Sequence, residues 1–177
     1  MAKLFVAVDL PEAAKAAIVR LQPPPQSGLR LPEPSQMHLT LHFLGESGVA
    51  RMSSALSRVE TPAFALDLRG VGKFASPDGS VTLWAAVVPS PKLLAFHLLT
   101  ATALAREGFV PEARPYAPHV TVARYGPGAA GEGVGRFLSG HADFTLHGLQ
   151  IAEFGLYSST FIDGAPSYRR EQSFALS

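Results

Sequence analysis

The chain has 177 residues, and 47% of them are hydrophobic, so it can bury a core as one domain or as two closely joined lobes. It contains no cysteine, which excludes disulfides, thiolate chemistry and cysteine-based zinc sites. The net charge of +1 argues against a broad surface for duplex nucleic acid, but it allows a local basic pocket that holds one phosphate.

The N-terminal residues lead directly into a strand-like run at 3–9, without the charged, apolar and cleavage regions of a secretory signal. No apolar run approaches the ~18–20 residues that a membrane-spanning helix needs. Because the chain also lacks cysteine, we expect a cytoplasmic protein that makes no contact with a membrane.

The first half of the chain mixes strands and helices without a regular parallel rhythm. Alternating apolar residues predict strands, and apolar residues three or four apart predict helices. In chain order we expect a strand at 3–9, a helix at 13–21, a loop at 22–28, a short extended segment at 29–34, a strand at 37–44 that ends at Gly45, a helix at 46–59, a strand at 64–69, and a turn at 70–74 that leads into a short strand.

The second half continues in the same way. We expect a strand at 81–88, a helix at 91–107 that ends at Gly108, a loop at 112–118, a strand from 119, a mobile loop at 126–135, strands at 143–147 and 150–157 around Gly148, a loop at 158–166, and a last strand at 168–176. This order predicts an α+β fold, with antiparallel sheets and helices on the outside. Each half contains a strand, a helix and a second strand, so residues 1–177 are predicted to form a single domain of two similar lobes related by a pseudo-two-fold axis.

The second strand of each half carries the same pattern, H-L-T-L at 38–41 and H-V-T-V at 119–122. Side chains two apart on a strand share a face, so His38 lies beside Thr40, and His119 beside Thr121. The alternate leucines and valines then point into the core. A single His-x-Thr is common and seldom functional. Two copies 81 residues apart (119 − 38), both on alternating runs, favour a shared site in a central groove.

Two imidazoles can take and give protons near neutral pH. A reaction that suits them is the opening of a cyclic phosphodiester by water, with Thr40 and Thr121 donating hydrogen bonds to the phosphoryl oxygens. A cation is also needed to hold negative charge, and Arg124 is the nearest candidate. Arg124 is five residues after His119, so it reaches the pocket only if the strand ends or bulges near residue 123. The alternative is that Arg124 is a cation at the rim.

A metal site is the main rival chemistry. His38 and His42 are four residues apart, which suits a ligand pair on a helix, but on a strand they lie ~13 Å apart. No neighbouring carboxylates complete a ligand set, so we expect neither a metal nor another cofactor. We interpret the remaining histidines as ordinary surface or capping residues; these are His97, His141 and His147. Phe43 could stack on a base as a substrate-binding residue, or it could lie in the core by alternation.

The stretches H-L-T-L-H-F-L-G-E and P-H-V-T-V-A-R resemble the two motifs of the 2H phosphoesterase superfamily. The chain is most similar to the RNA 2′,3′-cyclic phosphodiesterase family, which is also called the bacterial and archaeal 2′-5′ RNA ligase family. The flanking L-F-V-A-V-D-L-P, L-R-L-P-E-P-S-Q-M-H and V-T-L-W runs extend the resemblance over about residues 3–125. The match to the C-terminal strands is weaker.

The resemblance implies a bilobal fold in which the two motifs face each other across a groove. It also implies metal-free hydrolysis of a 2′,3′-cyclic phosphate to a 2′-phosphomonoester, and in many members the joining or cleavage of 2′-5′ linkages. By resemblance His38 would be the proton donor and His119 the proton acceptor, an order that the sequence alone does not give. Thr40, Thr121 and Arg124 would hold the phosphate. His42 departs from the family, where a lysine is frequent at this position.

The expected partners are RNA ends or nucleotides that carry a 2′,3′-cyclic phosphate, and we expect a monomer with no obligate protein partner. Two alternatives remain open from the sequence. The chain could bind RNA ends or nucleotides without catalysis, or it could hydrolyse another small cyclic phosphate. The sequence identifies neither the natural RNA nor the extent of ligase activity.

Overall fold

The computed structural model describes residues 2–177, which form two antiparallel sheets and four α-helices. The strands are β1 (Ala2–Asp9), β2 (Leu29–Arg30), β3 (His38–Ser47), β4 (Phe64–Ala75), β5 (Val81–Val87), β6 (His119–Tyr125), β7 (Thr145–Ile151), β8 (Glu153–Ile162) and β9 (Ala165–Ala175). The helices are α1 (Glu12–Val19), α2 (Val49–Leu56), α3 (Pro91–Ala105) and α4 (Gly133–Gly140), and a 3₁₀ turn spans Pro34–Gln36. The predicted α+β class is therefore confirmed.

The two sheets have corresponding strand orders. The first sheet is β3-β1-β8-β9 and the second is β2-β6-β5-β4-β7, with every ladder antiparallel. In each sheet the strand that carries a His-x-Thr motif pairs with an earlier strand, and a helix lies between the two along the chain. Thus β3 pairs with β1, and β6 pairs with β5. The repeated strand–helix–strand unit predicted from the sequence is thus present in both halves.

The core is built from the apolar residues of the strands. Leu39, Val120 and Val122 are completely buried, and Leu41 is 4% exposed, as alternation along the two motif strands predicts. Burial of such side chains contributes ~1.5–3 kcal/mol each. A slip of one residue would move them to the polar face, so their burial fixes the register that places the histidines and threonines.

The long helix α3 has the start and end signals expected from the sequence. The Ser90 side chain accepts a hydrogen bond from the Leu93 backbone N–H at 3.2 Å, and Pro91 occupies the first turn. Gly108 follows the helix with a φ of 91°, which suits glycine because it has no Cβ. No helix within residues 2–177 is long and apolar enough to cross a membrane.

Three predicted strand ends are wrong because a glycine continues the strand with a positive φ. β3 passes through Gly45 to Ser47, β4 is one strand through Gly70, and β7 continues through Gly148. The ladder between β4 and β5 skips register beside Gly70, which marks an irregularity rather than a turn. Glycine can interrupt a strand or bulge it, and local sequence does not distinguish the two outcomes.

Two predicted loops also contain regular structure. β8 and β9 form a hairpin over most of the predicted loop at 158–166, with its tight turn at Asp163 and Gly164. Helix α4 begins at Gly133, inside the predicted mobile loop at 126–135, and buries Phe137. Tertiary burial of one aromatic side chain here outweighs the poor helix propensity of glycine.

Candidate active site

The two motif strands come from different sheets and line one groove of about 400 Å³. His38 and Thr40 lie on one wall, and His119 and Thr121 lie on the other. Among the described residues that line the groove none is acidic, and two of them, Lys3 and Arg30, are cationic. The groove therefore suits an anion.

Each motif strand contains a bulge at the fourth residue of its motif. Val6 pairs with His42 but Ala7 pairs with Thr40, so Leu41 is the extra residue in β3. Leu83 pairs with position 123 while Trp84 pairs with Thr121, so Val122 is the extra residue in β6. A bulge shifts the alternation of side chains by one position. The residues at the fourth and fifth positions are consequently both buried, and the sixth returns to the polar face.

The sixth positions of the two strands are Phe43 and Arg124. Phe43 is 65% exposed and lines the groove, so the alternative that alternation places it in the core is wrong. Arg124 is exposed on the polar face, and the bulge that this placement requires is present. Arg124 does not itself line the groove, but it pairs across the ladder with Arg30, which does. These two arginines form a positive edge to the second-sheet wall.

Both motif histidines bond to a backbone carbonyl two residues earlier in the chain. His119 Nδ1 lies 2.8 Å from the Ala117 carbonyl oxygen, and the His38 ring hydrogen-bonds to the Gln36 backbone. When Nδ1 of a neutral imidazole is the donor, Nε2 has a free lone pair. For His119 this leaves Nε2 as the atom that can accept a proton.

The surroundings of His38 are aromatic. Its ring stacks on Phe5 at 4.9 Å between centroids, and the ring of Tyr168 meets it edge-on at 5.3 Å. Burial lowers the pKa of His38 from 6.5 to about 4; the bond to Gln36 and the charge of Asp9 oppose this shift. His38 is therefore neutral at pH 7 in the ligand-free protein.

His119 has different neighbours. Phe74 meets its ring edge-on at 4.9 Å, and Trp84 lies 6.0 Å away. Trp84 lies across Gly72, where a Cβ atom would approach its ring to 2.1 Å, so only glycine leaves room for the indole. The two histidines thus occupy equivalent positions on their strands but different environments.

A second pair of histidines lies outside the groove. His42, at the fifth position of its strand, is 4% exposed, and its ring lies 4.3 Å from that of His97 on α3. His42 Nε2 is 2.9 Å from Thr100 Oγ1 and 3.1 Å from the His97 carbonyl oxygen. The interpretation of His97 as an ordinary surface residue is therefore wrong, because helical packing brings it onto β3. His141 caps the end of α4, as expected.

The buried His42 makes the protein sensitive to acid. Burial, and then the neighbouring His97, lower its pKa from 6.5 to about 4. Below pH 6.5 the unfolded chain gains a proton that the folded chain resists, so stability is complete above pH 6.5 and is lost as the pH falls toward 4. The loss from this residue is roughly 3 kcal/mol at most.

We expect chemical denaturation to show a smaller loss of stability between pH 7 and pH 4.5 in His42→Gln than in the unmodified protein. His38 and His97 also have lowered pKa values and should keep part of the pH dependence. His147→Gln, which replaces an exposed histidine, is the matched control and should change the dependence much less, because its contact with Asp67 at 3.8 Å is screened by solvent. If the free energy of unfolding fell equally with pH in His42→Gln and in the unmodified protein, His42 would not be a source of the acid sensitivity.

Within the described chain, no group of three or more histidine, cysteine, aspartate or glutamate side chains is placed to hold a metal ion. His38 and His42 point away from each other because the bulge turns His42 into the interior. The pair cannot share an ion in this conformation.

Several residues that shape the groove have no signal in the motifs. Arg30 precedes the first motif by eight residues and lies on the short strand β2, while Tyr168 comes from β9 near the C-terminus. Arg30 could have been proposed from its alternation with leucines in L-R-L. Nothing in the local sequence indicates Lys3 or Tyr168, because only the order of strands in the first sheet brings them to the groove.

Comparison with known proteins places the chain among a group of related sequences. Residues 10–154 match the 2′-5′ RNA ligase superfamily. An RNA 2′,3′-cyclic phosphodiesterase of Thermus thermophilus is 34% identical over 69% of this chain and 68% of that protein. The Escherichia coli RNA 2′,3′-cyclic phosphodiesterase is 29% identical over 98% of this chain and 96% of its own length. The crystal structure of E. coli LigT complexed with 3′-AMP superposes with a TM-score of 0.76 at 27% identity, covering 99% and 98% of the two chains.

Proposed function

Because this chain belongs to the 2′-5′ RNA ligase superfamily, we propose that it is an RNA 2′,3′-cyclic phosphodiesterase that opens the ring to a 2′-phosphomonoester. The observation that carries the proposal is the groove itself. Two strands from separate sheets each bring a histidine and a threonine to it, and no described residue of its wall is acidic. Relatives named as RNA 2′,3′-cyclic phosphodiesterases match most of the chain.

The proposed reaction is an in-line attack of water on the cyclic phosphorus. His119 Nε2 accepts a proton from the water as the new P–O bond forms. The bond from phosphorus to the 3′-oxygen breaks, and His38 donates a proton to that oxygen as it leaves. The product is a 2′-phosphate with a free 3′-hydroxyl, and the two histidines exchange protonation states.

The phosphoryl oxygens bear negative charge throughout the reaction. Hydroxyls of Thr40 and Thr121 on opposite walls would donate hydrogen bonds to them, and Arg124 with Arg30 would hold the charge from the second-sheet side. Phe43 would offer its exposed ring to a base, with stacking worth about 1–3 kcal/mol. Among the described residues that line the groove no carboxylate competes with the phosphate for Arg30, whereas Arg124, outside that lining, also feels the charge of Asp78.

The donor role requires a charged His38, although burial keeps it neutral at pH 7 in the ligand-free protein. A bound phosphate is an anion at short range, and an opposite charge raises the pKa of an imidazole. Substrate binding would therefore supply the charge that makes His38 a donor. The assignment of donor and acceptor follows the family resemblance.

The testing experiment uses a short RNA with a 2′,3′-cyclic phosphate end, incubated with the protein in EDTA. We expect conversion to a 2′-phosphate product at the same rate as without the chelator, because the proposed machinery consists only of protein side chains. Chromatography against 2′- and 3′-phosphate standards identifies the product. A loss of activity in EDTA that one added divalent metal restores would contradict a metal-independent reaction.

The same assay separates the alternatives. Binding without turnover would identify a non-catalytic module for RNA ends, and turnover of a small cyclic phosphate but not of RNA would indicate a different substrate. A parallel reaction would mix RNA fragments that end in a 2′,3′-cyclic phosphate with fragments that begin with a free 5′-hydroxyl. Attack of that hydroxyl on the cyclic phosphorus, with the 3′-oxygen leaving, would measure 2′-5′ joining, an activity that the name of the superfamily suggests.

A further inference from the structure

The edge strand β3 receives a polar contact from the other half of the molecule at the position of Thr40. β3 is the outermost strand of the first sheet, so backbone groups that point away from β1 need other partners. The Tyr116 hydroxyl donates to the Thr40 carbonyl oxygen at 2.8 Å. Tyr116 lies in the segment that leads into β6, three residues before His119. One hydroxyl thus connects the two motif strands through the backbone of a groove residue.

The Tyr116 ring is itself held in place. It stacks on the His97 ring with centroids 3.9 Å apart and planes 14° from parallel. His97 in turn lies against His42, and the Thr100 hydroxyl is 2.9 Å from His42 Nε2. Burial raises the pKa of Tyr116, so its hydroxyl keeps the proton that it donates at neutral pH. The stack connects α3 to two residues of β3, Thr40 and His42.

The contact is located immediately before the bulge. The Thr40 carbonyl belongs to the peptide that joins Thr40 to Leu41, the extra residue of the strand. The hydrogen bonds between paired strands constrain a bulge less than they constrain a regular strand. The peptide at the start of the bulge therefore needs another restraint. On β6 the corresponding restraint is different: Gln22 Nε2 donates to the carbonyl of Val122, its bulged residue, at 3.1 Å. Each motif strand is therefore fixed at its bulge by a side chain from outside the ladder.

We propose that Tyr116 is a positioning residue that fixes the Thr40 hydroxyl for contact with the phosphoryl group, a role that rests on the proposed function. Donors to a transition state must be held to within about 0.5 Å. The hydrogen bond orients the peptide of Thr40, and the stacked histidines hold the Tyr116 ring that donates it. If this bond is lost, the peptide can move at the bulge, and the Thr40 side chain moves with it. A tyrosine that only joined the two sheets would affect stability without acting through Thr40.

The first test is Tyr116→Phe, which keeps the stacked ring and removes only the hydroxyl. We expect kcat/KM for a 2′,3′-cyclic nucleotide to fall about tenfold, because one hydrogen bond is lost and the groove is otherwise intact. The control is Tyr125→Phe, which removes the hydroxyl of a buried tyrosine at the far end of β6 that does not line the groove. It should leave kcat/KM unchanged.

The decisive test is a pair of double-mutant cycles. Tyr116→Phe should have almost no further effect in a Thr40→Val background, because the hydroxyl that it positions is already gone. In a Thr121→Val background, which removes the equivalent hydroxyl of the other strand, the tenfold loss should remain. An equal loss in both backgrounds, or none in the unmodified protein, would overturn the positioning role.

The affinity for the product 2′-AMP, measured by calorimetry in the same six proteins, completes the test when a threonine variant is too slow to assay. The expected pattern is the same: Tyr116→Phe weakens binding in the Thr121→Val background and not in the Thr40→Val background. If the unmodified protein binds 2′-AMP but hydrolyses no cyclic phosphate, the proposed function fails while this cycle still decides the role of Tyr116. If it hydrolyses the substrate and both cycles are additive, only the positioning role fails.

Discussion

His38→Ala and His119→Ala are each expected to lower kcat for a 2′,3′-cyclic phosphate by about 10²–10⁴-fold, the usual contribution of one general acid or base. Both side chains lie on the polar face of strands whose opposite face forms the core, so their removal should leave the fold intact. Steady-state kinetics gives the effect, and circular dichroism with thermal unfolding checks the fold.

The double variant is a more specific test of the proposed mechanism. If the two histidines act as a unit, removing both should reduce kcat little more than removing one. His141→Ala serves as the control, since it replaces a histidine that caps α4 and does not line the groove. Near-normal turnover in either single variant would refute two-histidine catalysis.

A second large difference between the two histidine variants is expected on a substrate whose leaving group does not need a proton. Bis(p-nitrophenyl) phosphate releases a phenolate that is stable as an anion, so general-acid catalysis contributes little to its hydrolysis. If His38 is the donor, His38→Ala should retain most of the unmodified protein's rate on this ester, although it loses about 10²-fold or more on the cyclic phosphate. His119→Ala should lose activity on both substrates.

The comparison also has a clear contrary outcome. His38 has a lowered pKa because it is buried among aromatic rings, a property that by itself would suit an acceptor. Retention of activity by His119→Ala instead of His38→Ala would show that the roles are reversed. Equal loss by both variants on the p-nitrophenyl ester would indicate that neither histidine acts as a simple general acid.

The sequence predicted the fold class and the convergence of both motif strands on one groove. Alternation is a local pattern that shows which face of a strand is buried, and the repeated motif indicates that two distant strands share one site. It did not predict the bulge at Leu41, and it named a bulge near residue 123 only as a condition for Arg124 to reach the pocket. A bulge depends on the pairing strand, and neither β1 nor β5 is visible in the pattern of the motif itself. The uncertain positions of Phe43 and Arg124 followed from this one omission.

Other features were inaccessible for a different reason. Tyr168 and Lys3 reach the groove only because β8 and β9 join the sheet of β1 and β3, a topology that no short window of sequence encodes. The sequence predicts an ordinary surface residue at His97, because its partner His42 is 55 residues away and no local pattern links the two. Helix α4 formed where glycines predict a loop, because one phenylalanine could be buried.

Because their bulges match, the two motif strands by themselves give the groove almost no preferred direction. His38 corresponds to His119 and Thr40 to Thr121 on the two strands, so under the proposed function these four side chains alone would not fix the direction of a bound RNA strand. The sixth positions break that equivalence, because this residue is an aromatic one, Phe43, on β3 and a cation, Arg124, on β6. A strand of RNA has bases on one side and phosphates on the other. The aromatic ring favours the bases, and the cation favours the phosphates. Under the proposed function, residues outside the repeated motif would therefore decide the direction of the bound strand and which ester bond faces the donor.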